Sequence, residues 1–130
     1  MIIIYFDNHP EMSAKVFFND PIVYDFISNK KFNKDKSIID FHHLDYRENL
    51  GELRESFYLL ISQYTGFISN YCKDYLKVGG ILVANNSHGD TGMASIDTDY
   101  QFIGVLKKKK IFITYFLINI LILTLFLKRR

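Results

Sequence analysis

The chain reads as an α/β fold, a partial parallel sheet with flanking helices, followed by a C-terminal apolar helix of transmembrane type. Three observations predict this. Short apolar runs rich in β-branched residues alternate with segments of helical spacing. One stretch, Phe57–Ala84, places a strand, a helix and a second strand within the length of a single crossover. The sequence then changes character at Lys107–Lys110, beyond which Ile111–Leu127 carries no charge before Lys128-Arg129-Arg130.

Taken in order, Ile2–Phe6 has the composition of a buried strand and ends at Asp7. Pro10–Phe18 is weakly helical, with Met12, Val16 and Phe17 able to share a face. Asp20-Pro21 is a stronger start signal, an acceptor at the N-cap followed by a proline whose missing N–H is harmless in a first turn. Ile22, Val23, Phe26 and Ile27 then fall at helical spacing, predicting a helix over Pro21–Ser28, with Asn29–Lys36 as a charged loop. Ile38–Leu44 reads as a strand and Arg47–Ser56 as a short helix turning Leu50 and Leu53 inward. Phe57–Ser62 is the next strand. Gly66–Leu76 follows as a helix whose C-cap is Gly79-Gly80, since glycine tolerates the left-handed conformation a cap requires. Ile81–Ala84 and Tyr100–Leu106 complete the strands, separated by the polar turn Asn85–Gly92.

Charge divides the chain as the elements do. Residues 1–106 hold nine Lys/Arg against fourteen Asp/Glu, a net of −5, and the last twenty-four residues hold the other seven basic side chains. An acidic body of this kind excludes nucleic acid as a partner, because such binding rests on phosphate neutralisation. The one cysteine, Cys72, excludes an internal disulfide and fits a reducing compartment; on the apolar side of a helix, it reads as a small core residue. No Cys/His cluster has zinc spacing, so no metal is expected. His42 and His43 are adjacent on a strand and point to opposite faces, which prevents joint ligation.

The tail predicts a partner. As a helix, Ile111–Leu127 would be about 26 Å long, against a hydrocarbon core of about 30 Å. Flanking lysines and arginines can extend to lipid headgroups. The expected organisation is therefore a cytoplasmic α/β body over residues 1–106 with a lipid bilayer as partner of the 107–130 segment. The other reading is that the segment is an out-of-frame tail. Lys107–Lys110 can be encoded by a run of adenines, and the abundance of Ile, Lys, Asn, Phe and Tyr suggests AT-rich codons. The body would then be cytoplasmic without an anchor.

Chemistry in open α/β sheets sits beyond the carboxyl ends of the strands. The segment Asn85-Asn86-Ser87-His88-Gly89-Asp90 lies there, making His88 and Asp90 the candidate catalytic pair. The same residue types build any sharp loop, and that alternative stays open.

Two segments, Asp45–Phe67 ("DYRENLGELRESFYLLISQYTGF") and Tyr71–Val105 ("YCKDYLKVGGILVANNSHGDTGMASIDTDYQFIGV"), resemble the second half of class I S-adenosylmethionine-dependent methyltransferase-like proteins, a Rossmann-like family. In that family a strand ending like "LLIS" precedes a helix, and an "LKPGG-ILVAN"-like turn leads to the next strand. The resemblance implies adenosylmethionine as cofactor. It implies Asp7, ending one strand, on the ribose hydroxyls and Asp45, ending the next, near the adenine. Ser62, Gln63 and Tyr64, following the fourth strand, would lie where cofactor and substrate meet. Asp7 also reads as a turn carboxylate, and Asp45 as the cap of a following helix. The family's glycine-rich first turn belongs before Asp7, where six residues stand, and no G-x-G occurs in the chain. The resemblance thus implies a truncated methyltransferase-like chain that is inactive as it stands. The alternative is a small membrane-anchored protein with a non-catalytic α/β interaction module.

Overall fold

A computed structural model describes residues 2–9, 20–30, 38–107 and 122–130. The chain divides into two compact units, Met1–Leu50 and Gly51–Arg130. It is a mixed α/β structure with parallel strand pairs and few helices.

In the first unit, β1 (Ile2–Phe6) and β2 (Ile38–His42) pair in parallel, from Ile2 opposite Ile38 to Phe6 opposite His42. Parallel strands require a crossover, and α1 (Pro21–Lys30) lies on it. The helix starts as the sequence predicts, with Asp20 Oδ1 accepting the Ile22 N–H at 2.8 Å. It continues two residues past Ser28 to Lys30, whose ammonium stands 5.2 Å above the Phe26 ring one turn back. Cross-strand ring pairs tie the sheet: Tyr5 stacks on Phe41 at 5.0 Å and Phe6 on His42 at 5.1 Å. The expected helix over Pro10–Phe18 lies outside the described residues.

In the second unit, four strands run in the order β3 (Phe57–Ser62), β4 (Leu76–Ala84), β6 (Ile122–Lys128) and β5 (Tyr100–Lys107). β3 and β4 are parallel, while β6 is antiparallel to both its neighbours. Short helical turns join them: α2 (Ile68–Tyr71) with a 3-10 turn at Lys73–Tyr75, and α3 (Asp90–Ile96). One core forms between these helices and the sheet, from Leu76, Leu82, Ala84, Ala94, Tyr100 and Phe126, with Leu60 packed against it.

The structure corrects four sequence expectations. Arg47–Ser56 is not a helix. Asp45 Oδ1 accepts the Arg47 N–H at 2.9 Å in a local turn, and Gly51 takes a positive φ of 73°. Leu50 is buried there as expected, whereas Leu53 is exposed. Gly79-Gly80 does not cap a helix. The helical segment is over by Tyr75, and the glycines lie inside β4, where two residues along β3 correspond to five along β4. Gly79 supplies the positive φ of 80° that this bulge needs. Asp90, expected in an extended polar turn, begins a helix that runs to Ile96.

The fourth correction concerns the tail. Ile122–Leu127, expected as the end of an apolar helix, is a strand in the interior of the sheet. No helix among the described residues is long and apolar enough to cross a membrane; the expected helix's residues 111–121 lie outside the described residues. The physical reason is that an interior strand has apolar neighbours on both faces. Its sequence is then apolar without alternation and cannot be told from a buried helix by period. Phe126 enters the core, while Leu125 and Leu127 turn to the other face. Lys128, expected to reach lipid headgroups, is only 4% exposed. Its ammonium donates to the carbonyls of Leu76 at 2.6 Å and Lys73 at 3.1 Å.

Candidate functional site

The carboxyl ends of the parallel strands carry two polar clusters, one in each unit. In the first unit, β1 ends at Asp7 and β2 leads to Asp45. The parallel register sets both at the same end of the two-stranded sheet, with the Asp7 N–H donating to the His42 carbonyl at 3.2 Å. Asp7 Oδ1 accepts the His9 N–H at 2.9 Å. Asn8 spans the two strand ends, its Nδ2 donating to Asp45 Oδ2 at 3.2 Å. The structure therefore brings Asp7 and Asp45 into one neighbourhood although 37 residues separate Asn8 from Asp45.

Asp45 is committed to Arg47. The guanidinium donates from Nε to Oδ1 at 2.9 Å and from Nη2 to Oδ2 at 2.6 Å, a forked pair completed by the backbone N–H of Arg47. These bonds hold the carboxyl down at about 2, Arg47's side chain contributing most and its backbone next. The result is a fixed, paired carboxylate that caps a turn, close to the capping alternative read from sequence.

In the second unit, Ser62 and Asp90 meet in the interior. Asp90 is fully buried. Its Oδ2 accepts the Ser62 hydroxyl at 2.9 Å, and its Oδ1 accepts the Ser69 N–H at 2.9 Å. Ser62 Oγ also lies 2.9 Å from the Thr65 hydroxyl. Tyr100 donates its hydroxyl to the Ser69 carbonyl at 3.0 Å. The carboxylate thus fastens the end of β3, the start of α2 and the start of α3 to one another, and Tyr100 extends the network to β5. Burial pushes the Tyr100 hydroxyl far above its ordinary range. Burial, followed by the nearness of Asp90, pushes the Cys72 thiol up to about 11.

Ser62 and Asp90, read as site residues from sequence, therefore sit together as a buried anchor. Two other residues of that set, Gln63 and His88, are exposed. Tyr64, predicted with Ser62 and Gln63, belongs to this end of the sheet, and so does Asn85. Tyr64 holds a positive φ of 55°, unusual for a side-chain-bearing residue. Its N–H is held by the buried Asn85 side chain, Oδ1 accepting at 3.1 Å, while the Asn85 N–H donates to the Ser62 carbonyl. Asn85 was legible only as one of several polar loop residues, and a strained aromatic has no sequence signature. Among the described residues, no group of three or more His, Cys, Asp or Glu side chains is arranged to hold a metal ion.

Comparison with known proteins adds one likeness. No family model matches the chain, and no curated protein matches it. Among solved structures, an rRNA methylase from Streptococcus thermophilus aligns with a TM-score of 0.48 at 12% identity, covering 98% of this chain and 75% of that one.

Proposed function

We propose that the chain is a methyltransferase-like module that binds the nucleoside end of S-adenosylmethionine. The observation that carries this reading is the pairing of Asp7 and Asp45 at the carboxyl ends of adjacent parallel strands, linked through Asn8. That is where open α/β sheets receive nucleotides. The sequence resemblance over Asp45–Val105 supports it. So does the second sheet, whose reversed strand among parallel ones is compatible with such a fold.

The residues fit one end of the cofactor better than the other. A carboxylate at a strand end is the acceptor a ribose diol needs, and Asp7 stands half-buried in that position. Asp45, held as an anion by Arg47 and already accepting four hydrogen bonds, would order the adjoining turn and the Asn8 side chain rather than bind adenine directly. The methionine end needs close backbone approach, which glycine permits. The first glycine of the chain is Gly51, so the segment around Asp7 has none to offer. When bound, adenosylmethionine supplies an electrophilic methyl group. This chain's residues would orient the nucleoside end.

Calorimetric titration tests this with adenosylmethionine, adenosylhomocysteine and adenosine at millimolar concentration. Saturable heat with all three, lost in Asp7→Asn while the circular dichroism spectrum is unchanged, is the expected result. Absence of heat, or heat indifferent to Asp7→Asn, overturns the reading.

A further inference from the structure

We infer that Asn8 is the residue that reads the base in the first unit: its side-chain amide, fixed in one orientation, selects the aminopurine adenine over an oxopurine. This rests on the nucleoside reading of Asp7 given above. It adds a specificity that Asp7 cannot supply, because every ribonucleoside carries the same diol.

The orientation is set by a relay of hydrogen bonds beyond the carboxyl ends of β1 and β2. Arg47 grips Asp45 with Nε on Oδ1 and Nη2 on Oδ2, and its backbone N–H adds a second donor to Oδ1. A carboxylate so held is an anion and can only accept. Asn8 reaches its Oδ2 at 3.2 Å. An amide turned the other way would bring its oxygen against that anion, so Nδ2 is the atom that faces Asp45. A free asparagine offers a ligand either orientation. Asn8 offers one.

One N–H of Nδ2 is spent on Asp45. The other N–H and the carbonyl Oδ1 remain, a donor beside an acceptor, and among the described residues neither has a partner. Adenine offers the complement. Its exocyclic amino group donates and the neighbouring ring nitrogen accepts, the pair that an asparagine amide holds with two bonds. An oxopurine carries an acceptor where adenine has the amino group, and its oxygen would meet Oδ1 acceptor to acceptor. Turning the amide over would relieve that clash, but it would also set Oδ1 against the Asp45 anion.

Asn8 also stands where a reader of the base belongs. A base follows its ribose by a single bond, and Asn8 follows Asp7 by a single peptide. The Asp7 N–H donates to the His42 carbonyl at 3.2 Å, which fixes the segment leaving β1 against the end of β2. Asn8 itself is exposed, so its amide is open to an incoming ligand. Asp45 and Arg47 act through it as positioning residues.

The test is calorimetric titration of the whole chain with adenosine and with inosine, which share the ribose and differ in the exocyclic group. Adenosine is expected to bind about tenfold or more tighter, the worth of one two-bond contact to a base. Asn8→Ala should bring the two affinities together by weakening adenosine, with the circular dichroism spectrum retained. Asp45→Asn frees the Asn8 amide to turn and should narrow the ratio as well. A merely structural role for Asn8 would move both affinities alike and keep their ratio. Equal binding of the two nucleosides by the native chain overturns this inference and leaves the nucleoside site standing. So does a preference that Asn8→Ala leaves intact. Failure of both nucleosides to bind overturns the site and this inference together.

Discussion

Cys72 shows how one buried side chain reports on its surroundings. The thiol is held to about 11 by burial and by Asp90, well above the value of a cysteine in open chain. A group whose folded value is raised stabilises the fold fully below its unfolded value and ceases to do so as pH climbs through the folded one. The window here is about pH 9 to 11, and the loss is on the order of 2 kcal/mol. Tyr100, raised by the same burial, adds in the same direction. The denaturant midpoint measured in urea should therefore fall steeply between these pH values, and Cys72→Ala should flatten that fall. Thiol reagents at neutral pH should react slowly with the native chain and fast once urea unfolds it. The sequence announced Cys72 as a small core residue and the structure agrees. It did not announce that Asp90, placed by sequence among loop residues, would be the core's polar centre. A carboxylate in a stretch of Asn, Ser and Gly looks the same whether it faces water or the Ser62 hydroxyl.

Among elements, β4 is the most instructive. Lys77–Gly80 was legible as a glycine turn, and its positive φ was correctly anticipated, but the turn is a bulge within a strand rather than the end of a helix. Local chemistry specifies a backbone conformation, not the element around it. Gly80 is constrained differently from Gly79. A methyl group there would approach Leu76 Cδ1 to 2.7 Å and the Lys77 carbonyl to 2.8 Å. One contact is a side chain that can move; the other is backbone of the same bulge. Gly80→Ala should accordingly cost about 1–3 kcal/mol of stability, measurable by urea denaturation. β1, α1, β3 and β5 were all legible, because each has apolar composition bounded by a definite start or stop. β6 was not. Its strand identity comes from two partners distant in sequence, and its own residues carry no alternation to reveal it.

For the whole molecule, the alternation of strands and helices was enough to predict parallel pairing, and β1 with β2 and β3 with β4 bear that out. Strand order was beyond it. The order β3-β4-β6-β5 depends on a reversed strand entering between two others, and such long-range choices leave no local trace. The same holds for Asp7 and Asp45, whose juxtaposition follows from the parallel register rather than from their spacing.

That strand order also sets a sequence of events in time. β4 and β5 are synthesised with a vacant slot between them, since Ala84 must await Thr124 and Gln101 must await Leu127. Until β6 emerges, the slot is a template lined by backbone groups and by Leu82 and Tyr100. A chain ending at residue 121 should therefore be captured by a synthetic peptide of sequence Ile122–Arg130, with recovery of native circular dichroism on mixing. The same peptide carrying Phe126→Asp should fail. Filling by a strand supplied separately would make this fold a two-piece assembly held in one chain by translation order.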